Sequence, residues 1–237
     1  MKVALIGYGK MGKVIHSILE DRGHTISYII DQDNGDDLAL LNSSNTDVAI
    51  EFTRPEVAYD NINRCIDQGV KVISGTTGWL DHLPTIEEKT KALGGAFFYA
   101  SNFSLGVNLF FHLNRYLARL MSGTGYEVEM KEIHHTEKLD QPSGTAITLA
   151  EGLLDVHEEK SSWVNEPSKD SRALSIISER LANVPGTHTV SYRSAEDSIE
   201  IKHQAFSRQG FALGAVKVAE WIQDKKGFLS MDDYLNI

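Results

Sequence analysis

Residues 3–6 form an unbroken apolar run that stops at Gly7, the pattern of a parallel strand buried on both faces. The next apolar positions, Met11, Val14, Ile15, Ile18 and Leu19, follow i, i+3, i+4, i+7, i+8 spacing, which predicts a helix ended by Gly23. Residues 26–30 return to β-branched and aromatic types and end at Asp31. Residues 32–45 are polar and acidic, a loop with at most a short helix near 38–41. Further strands are predicted over 48–52, 70–74 and 96–99. Helices are predicted between them, over 55–67 and more weakly over 85–93. Alternation of strand and helix with short links is the mark of a parallel α/β sheet.

The pattern changes after Asn102. Leu105, Leu109, Leu113, Leu117 and Leu120 predict a long amphipathic helix. Tyr126, Val128 and Met130 then alternate with Glu127, Glu129 and Lys131, a strand buried on one face. That phase breaks at Glu132-Ile133, where the strand is expected to end or bulge. A helix begins near Ser143 and carries Ala146, Leu149, Ala150, Leu153 and Leu154. Residues 155–170 look like a surface loop. Strands over 174–177, 190–192 and 199–205 imply a mixed or antiparallel sheet. A helix over 211–222 can return to the first domain. The expected division is residues 1–103 with 211–237, and residues 104–210.

Composition narrows the class. Of 237 residues, 41% are hydrophobic and 24% charged, ordinary for a globular chain able to bury a sizeable core. The formal net charge of −10 argues against nucleic acid as a partner, because phosphate binding needs a basic field. No apolar stretch approaches the ~20 residues of a membrane span, so no membrane role is expected. The short apolar start runs directly into a glycine turn and does not resemble a signal peptide. The single cysteine, Cys65, sits in step with Ala58, Ile62 and Ile66 of a predicted helix and is read as a buried hydrophobe. These features point to a cytoplasmic protein.

Gly7-Tyr8-Gly9-Lys10-Met11-Gly12 fits G-x-G-x-x-G, a weak pattern by itself. Here a strand precedes it, a helix follows it, and an acid, Asp31, ends the next strand. Such glycines let a pyrophosphate approach the free N–H groups of a helix N-terminus, while the acid holds ribose hydroxyls. Asp31 favours NADH over NADPH, since a carboxylate repels a 2′-phosphate; Lys10 can soften that preference, so both cofactors remain open. Three more segments fall at strand ends, where open α/β sheets bind ligands: Phe52-Thr53-Arg54, Gly75-Thr76-Thr77-Gly78 and Ala100-Ser101-Asn102-Phe103. Their glycines and hydrogen-bonding side chains suit a nicotinamide pocket.

The run from His134 to Ala146 carries the second chemistry. His134, His135 and Lys138 gather potential positive charge ahead of a helix start at Ser143-Gly144-Thr145. Helix-end N–H groups and charge-assisted hydrogen bonds make a carboxylate seat, and imidazoles and an amine can transfer protons. Paired histidines also bind zinc, but adjacent strand residues point to opposite faces and no helper motif accompanies them, so no metal is expected.

With these segments assembled, the chain resembles the 4-hydroxy-tetrahydrodipicolinate reductases, formerly dihydrodipicolinate reductases, over nearly its whole length. The resemblance rests on Gly9-Lys10-Met11-Gly12, Asp47 through Pro55, Ser74 through Gly78, Ser101 through Asn108 and, above all, His134-His135-x-x-Lys138-x-Asp140-x-Pro142-Ser143-Gly144-Thr145-Ala146. It implies a Rossmann-like dinucleotide-binding domain plus an α+β substrate domain whose mixed sheet builds a homotetramer. It implies hydride transfer from NADH or NADPH to C4 of a cyclic dicarboxylate, with loss of the 4-hydroxyl as water. By the same resemblance His134 and Lys138 are proton donors or acceptors. His135, Gly144 and Thr145 hold substrate carboxylates. Residues 7–12, Asp31, residues 75–77 and residues 100–103 contact the cofactor. The segment after Asp31 lacks the Arg that would mark NADPH use. The alternatives are an aspartate or homoserine dehydrogenase, which would not need the histidine motif, and a non-catalytic nucleotide sensor, which would not need its proton-transfer groups.

Overall fold

A computed structural model describes residues 1–237 and divides them into two units, Met1–Leu105 with Gln209–Ile237, and Gly106–Arg208. The first unit is built on six strands: β1 (Lys2–Ile6), β2 (Thr25–Ile30), β3 (Val48–Glu51), β4 (Lys71–Ser74), β5 (Ala96–Tyr99) and β11 (Gly227–Leu229). They lie in the order β11-β5-β4-β3-β1-β2, and every pairing is parallel. Alternate strand residues feed opposite faces. Val3, Leu5, Ile50 and Phe98 pack with Ile15 and Leu19 of α1 (Lys10–Asp21) and with Ala215, Val216 and Ala219 of α6 (Gln209–Trp221). Ala4, Ile6, Ala49, Val72 and Phe97 pack with Ile62 and Ile66 of α2 (Pro55–Asp67) and Ile86 of α3 (Leu83–Ala92). Burial on both faces is why these strands are continuous apolar runs. Cys65 lies within this packing, and burial pushes its thiol up to about 12.

The sequence pattern missed two elements here. β11 has only three residues, and α7 (Met231–Leu235) only five. Residues expected as loop after β2 form a 3₁₀ segment, Gln32–Leu40, kinked at Asn34. Asp31 and Asn34 organise its start: Asp31 Oδ1 accepts the Gln32 N–H at 2.9 Å, and Asn34 Oδ1 accepts the Asp31 N–H at 2.8 Å.

The second unit carries β6 (Glu127–His134), β7 (Ser162–Val164), β8 (Ala173–Arg180), β9 (Gly186–Arg193) and β10 (Ser198–Ala205) in the order β10-β9-β6-β8-β7. β6 pairs antiparallel with β9 and parallel with β8, so the sheet is mixed. One face packs on α4 (Leu105–Met121) and α5 (Gly144–Leu154) through Val128, Met130, Ile176, Val190, Tyr192, Phe110, Leu149 and Leu153. β7 lies where a surface loop was expected.

Two expectations are corrected in this unit. The leucine stripe of α4 is not its core face, because Leu105, Leu109, Leu113 and Leu120 are all exposed. Val107, Phe110, Asn114, Ala118 and Met121 are buried instead. Ala118 permits close packing, and Asn114 Nδ2 donates to the Leu149 carbonyl at 2.8 Å, which turns that face inward. Second, β6 does not end at Glu132. Its alternation continues, so that Val128, Met130, Glu132 and His134 all face inward. A buried glutamate in an inward register looks like a broken pattern until its partners are known. No helix in either unit is long and apolar enough to cross a membrane.

Candidate active site

In the first unit a cavity of about 630 Å³ opens at the carboxyl ends of β1, β2 and β3, lined by Gly7, Tyr8, Gly9, Asp31, Phe52, Thr53 and Arg54 among others. Gly7 has φ +92°, and a Cβ there would stand 2.1 Å from the Phe52 carbonyl oxygen, so only glycine allows the β1 and β3 turns to meet. α1 begins after Gly9 with no side-chain cap, leaving its first N–H groups without a side-chain partner. A Cβ on Gly9 would meet nothing within 4 Å, so the fold itself does not require glycine there. Tyr8 is pinned by its hydroxyl to His16 Nδ1 at 2.7 Å.

The turns after β3 and β4 are tied together from beneath by Glu51, a fully buried carboxylate. Its Oε1 accepts the Thr53 N–H at 3.0 Å, the Thr76 hydroxyl at 2.8 Å and the Thr53 hydroxyl, and its Oε2 accepts the Ser74 hydroxyl at 2.6 Å. Burial pushes this carboxyl above its ordinary range, while those hydroxyls pull the other way. The Thr53 and Thr76 hydroxyls are thus spent on Glu51, although the sequence offered them as ligand contacts.

In the second unit Glu132 is the centre. Its side chain is fully buried, and Arg180 places Nη1 and Nη2 at 3.2 and 3.1 Å from Oε1. The Ser143 N–H donates to the same oxygen at 3.2 Å. On the other side His134 Nδ1 stands 2.8 Å from Oε2, an oblique approach without a linear bond. Burial alone would raise the Glu132 carboxyl; its contacts with His134, Ser143 and Ser178 outweigh burial and hold it well below the usual range. Arg180 also donates to the carbonyls of Lys138 (3.3 Å) and Asp140 (2.7 Å), so one guanidinium fixes the loop after β6. Lys138 Nζ lies 2.8 Å from Asp140 Oδ1. The contact with Lys138 outweighs burial and lowers the Asp140 carboxyl.

His188, opposite Glu132 in the β6–β9 register, is pushed down to about 3 by burial, with His134 adding repulsion. Its Nε2 lies 3.1 Å from the Ser143 hydroxyl, whose oxygen caps α5 by accepting the Ala146 N–H at 3.2 Å. Gly144 and Thr145 begin that helix, and a Cβ on Gly144 would meet nothing within 4 Å. Glu132, His134 and His188 bring one possible metal-ligand atom each within 4.8 Å of one another. A cation there would have to share the carboxylate with the Arg180 guanidinium, which repels it.

The first unit thus holds an uncapped helix start and a glycine loop, and the second holds histidine, lysine and a capped helix start. Comparison with known proteins decides what they belong to. Models described as dihydrodipicolinate reductase N-terminus and C-terminus match residues 1–103 and 106–235. The chain belongs to the dihydrodipicolinate reductase family. A relative from Christiangramia forsetii named 4-hydroxy-tetrahydrodipicolinate reductase is 49% identical, covering 100% of this chain and 98% of that one. One of the same name from Archaeoglobus fulgidus is 37% identical over 84% of this chain and 79% of its own. A dipicolinate-bound dihydrodipicolinate reductase from Paenisporosarcina sp. TG-14 shares the fold, with a TM-score of 0.76 at 21% identity and 99% coverage of both chains.

Within this reductase fold the structure brings Gly7, Tyr8, Gly9, Asp31, Phe52, Thr53 and Arg54 to one cavity. Gly75, Thr76 and Thr77 follow β4, and Ala100, Ser101, Asn102 and Phe103 follow β5, on neighbouring strand ends outside that lining. Lys10, Met11 and Gly12 open α1. His134 ends β6, while His135 and Lys138 lie in the loop beyond it, with His135 Nδ1 buried and unpartnered. Glu51, Glu132, Arg180 and His188 were missed. The available signal was a charged or polar residue at an inward position of a strand pattern, at Glu51 and again at Glu132.

Proposed function

We infer that this reductase converts 4-hydroxy-tetrahydrodipicolinate, one proton and NADH or NADPH into tetrahydrodipicolinate, water and the oxidised cofactor, a step of lysine and diaminopimelate biosynthesis. The observation that carries the assignment of roles is the Glu132–Arg180 pair, which touches His134 and holds the loop bearing Lys138. When bound, the nicotinamide supplies the hydride that takes the place of the hydroxyl at C4. His134 and Lys138 are the proton-transfer groups, and the proton they deliver lets the hydroxyl depart as water. Gly144 and Thr145 present N–H groups at the positive end of α5, and with His135 they hold the substrate carboxylates. The open space at Gly144 fits a glycine kept for a ligand rather than for packing.

For the cofactor, the uncapped start of α1 and the open space at Gly9 suit a pyrophosphate, with Lys10, Met11 and Gly12 contributing from the helix start. Asp31 holds the ribose hydroxyls and gives NADH a modest advantage. Gly75, Thr76, Thr77 and residues 100–103 border the nicotinamide end. The activity needs no metal. The uncovered face of the second sheet, with Glu127, Glu129 and Lys131 exposed, is where other copies would assemble into a homotetramer, and the protein works in the cytoplasm.

Loss of reduced-nicotinamide absorbance with the condensation product of pyruvate and aspartate semialdehyde tests the reaction. Turnover should fall by about 100-fold or more in His134→Gln or Lys138→Ala, with cofactor affinity little changed. No oxidation with either cofactor would end this reading. A strong NADPH preference in kcat/KM would remove the role given to Asp31, and sedimentation reports the assembly.

A further inference from the structure

Arg180 and His134 meet the same buried carboxylate from opposite sides, and the geometry points to a role beyond holding the fold. We propose that Glu132 is the positioning residue of His134, keeping the ring proton on Nδ1 so that Nε2 is the atom that exchanges protons. The proposal rests on the assignment of His134 to proton transfer.

Three observations carry it. First, Nδ1 faces Glu132 Oε2 at 2.8 Å, and the carboxylate can only accept, so the hydrogen belongs on Nδ1. The oblique approach suits an unliganded site whose hydrogen bonds tighten when substrate arrives. Second, Nε2 looks along Gly186, where a Cβ would stand only 3.0 Å away. A side chain there would crowd Nε2, so glycine keeps that edge of an otherwise buried ring from being closed over. Third, the other oxygen of Glu132 is fixed by Arg180 and by the Ser143 N–H, so the carboxylate cannot turn away from His134. His188 lies across from the ring, their centroids 5.0 Å apart, and Arg180 pairs with His134 in the β6–β8 register. Neither offers Nδ1 an anionic acceptor.

The chemistry is consistent with this role. As an acid, the imidazolium gives its Nε2 proton to the departing hydroxyl and is left neutral with hydrogen on Nδ1. That is the tautomer Glu132 stabilises, and a proton from solvent then restores the imidazolium.

The test uses the full chain and Glu132→Gln, which keeps the side-chain size but removes the charge. Nitrogen-15 NMR of the unaltered, ligand-free protein should show His134 hydrogenated on Nδ1, and Glu132→Gln should lose that bias. Turnover should fall about 100-fold in Glu132→Gln with KM for both substrates within about 3-fold, the pattern of a lost orienting partner. Glu132→Asp should recover part of it. Adding Glu132→Gln to His134→Gln should cost little more, because the two residues act as a unit. An Nε2-hydrogenated ring in the unaltered protein would overturn the proposal, as would near-native kcat in a folded Glu132→Gln. If Glu132→Gln does not fold, the tautomer of the unaltered protein decides alone. That NMR measurement needs no substrate, so a failure of the proposed reaction is seen separately, as absence of turnover in the unaltered chain.

Discussion

Gly214→Ala sets two opposed effects against each other on one helix. Gly214 lies inside α6, where alanine is intrinsically favoured over glycine by about 1 kcal/mol. Its Cβ, however, would stand 1.8 Å from the carbonyl oxygen of Phe103 and 2.8 Å from the carbonyl carbon. An ordinary carbon–oxygen contact is about 3.3 Å, so helix and turn would have to part by roughly 1.5 Å. The obstacle is backbone and cannot rotate aside. Overpacking of a dense core costs about 1–3 kcal/mol, and a backbone obstacle belongs at the top of that range. The expected outcome is a net loss of about 2 kcal/mol, from about 3 lost and about 1 gained. Phe103 also packs its ring 5.6 Å from Phe52, which lines the cavity proposed for the cofactor, so cofactor affinity should fall as well. Gly210, in the first turn of the same helix, is the matched control, because a Cβ there meets nothing within 4 Å. Gly210→Ala should leave stability unchanged or raise it by up to about 1 kcal/mol. Urea unfolding followed through Trp79 and Trp221, both in this unit, reads the two variants side by side. Gly214→Ala as stable as the unaltered protein would refute the reasoning.

Further outcomes follow from the second unit. Arg180→Met should cost about 3–5 kcal/mol, because it strands Glu132 as a buried charge; urea unfolding at neutral pH measures this, and a loss below about 1 kcal/mol would contradict the pairing. His188, with its pKa lowered to about 3, makes stability pH-dependent. Above about pH 6.5 the imidazole is neutral in folded and unfolded chains alike, and its contribution is fully present. As pH falls from there toward 3, the unfolded chain takes up a proton that the folded one refuses, and stability is lost. Urea midpoints between pH 7 and 5 should therefore fall less steeply in His188→Gln, and equal slopes would show that His188 is not held neutral. Phe110→Ala should cost about 3–5 kcal/mol, whereas Leu113→Ala on the outward face should cost less than about 0.5. A large loss at Leu113 in the same unfolding assay would mean that another molecule covers that face.

The nucleotide half was largely legible because its physics is local. A strand buried on both faces is an apolar run, and the turn after β1 is written in glycines that the backbone demands, as at Gly7. The histidine motif was legible as chemistry, but its support was not. Glu132 and Arg180 are 48 positions apart and meet only because β6 and β8 pair in one register. A one-dimensional pattern shows Glu132 merely as an interruption, and so the strand seemed to stop two residues early. The α4 error has another cause. That helix carries apolar residues on two faces, and periodicity cannot say which meets the sheet when Asn114, a polar residue, sits on the buried one. Short elements such as β7 and β11 escape because three residues hold less than two periods of any pattern.

The first unit is assembled from both ends of the chain, with the whole second unit between them. During synthesis, residues up to Leu105 emerge with the sheet face that α6 will cover still open, while Gly106–Arg208 is a continuous stretch able to complete its own core first. The first unit can therefore complete its core and sheet only after α6 and β11 leave the ribosome. A chain cut short before Gln209 would carry the glycine loop intact, yet expose Leu5, Ile50 and Phe98, which α6 should shield, to aggregation.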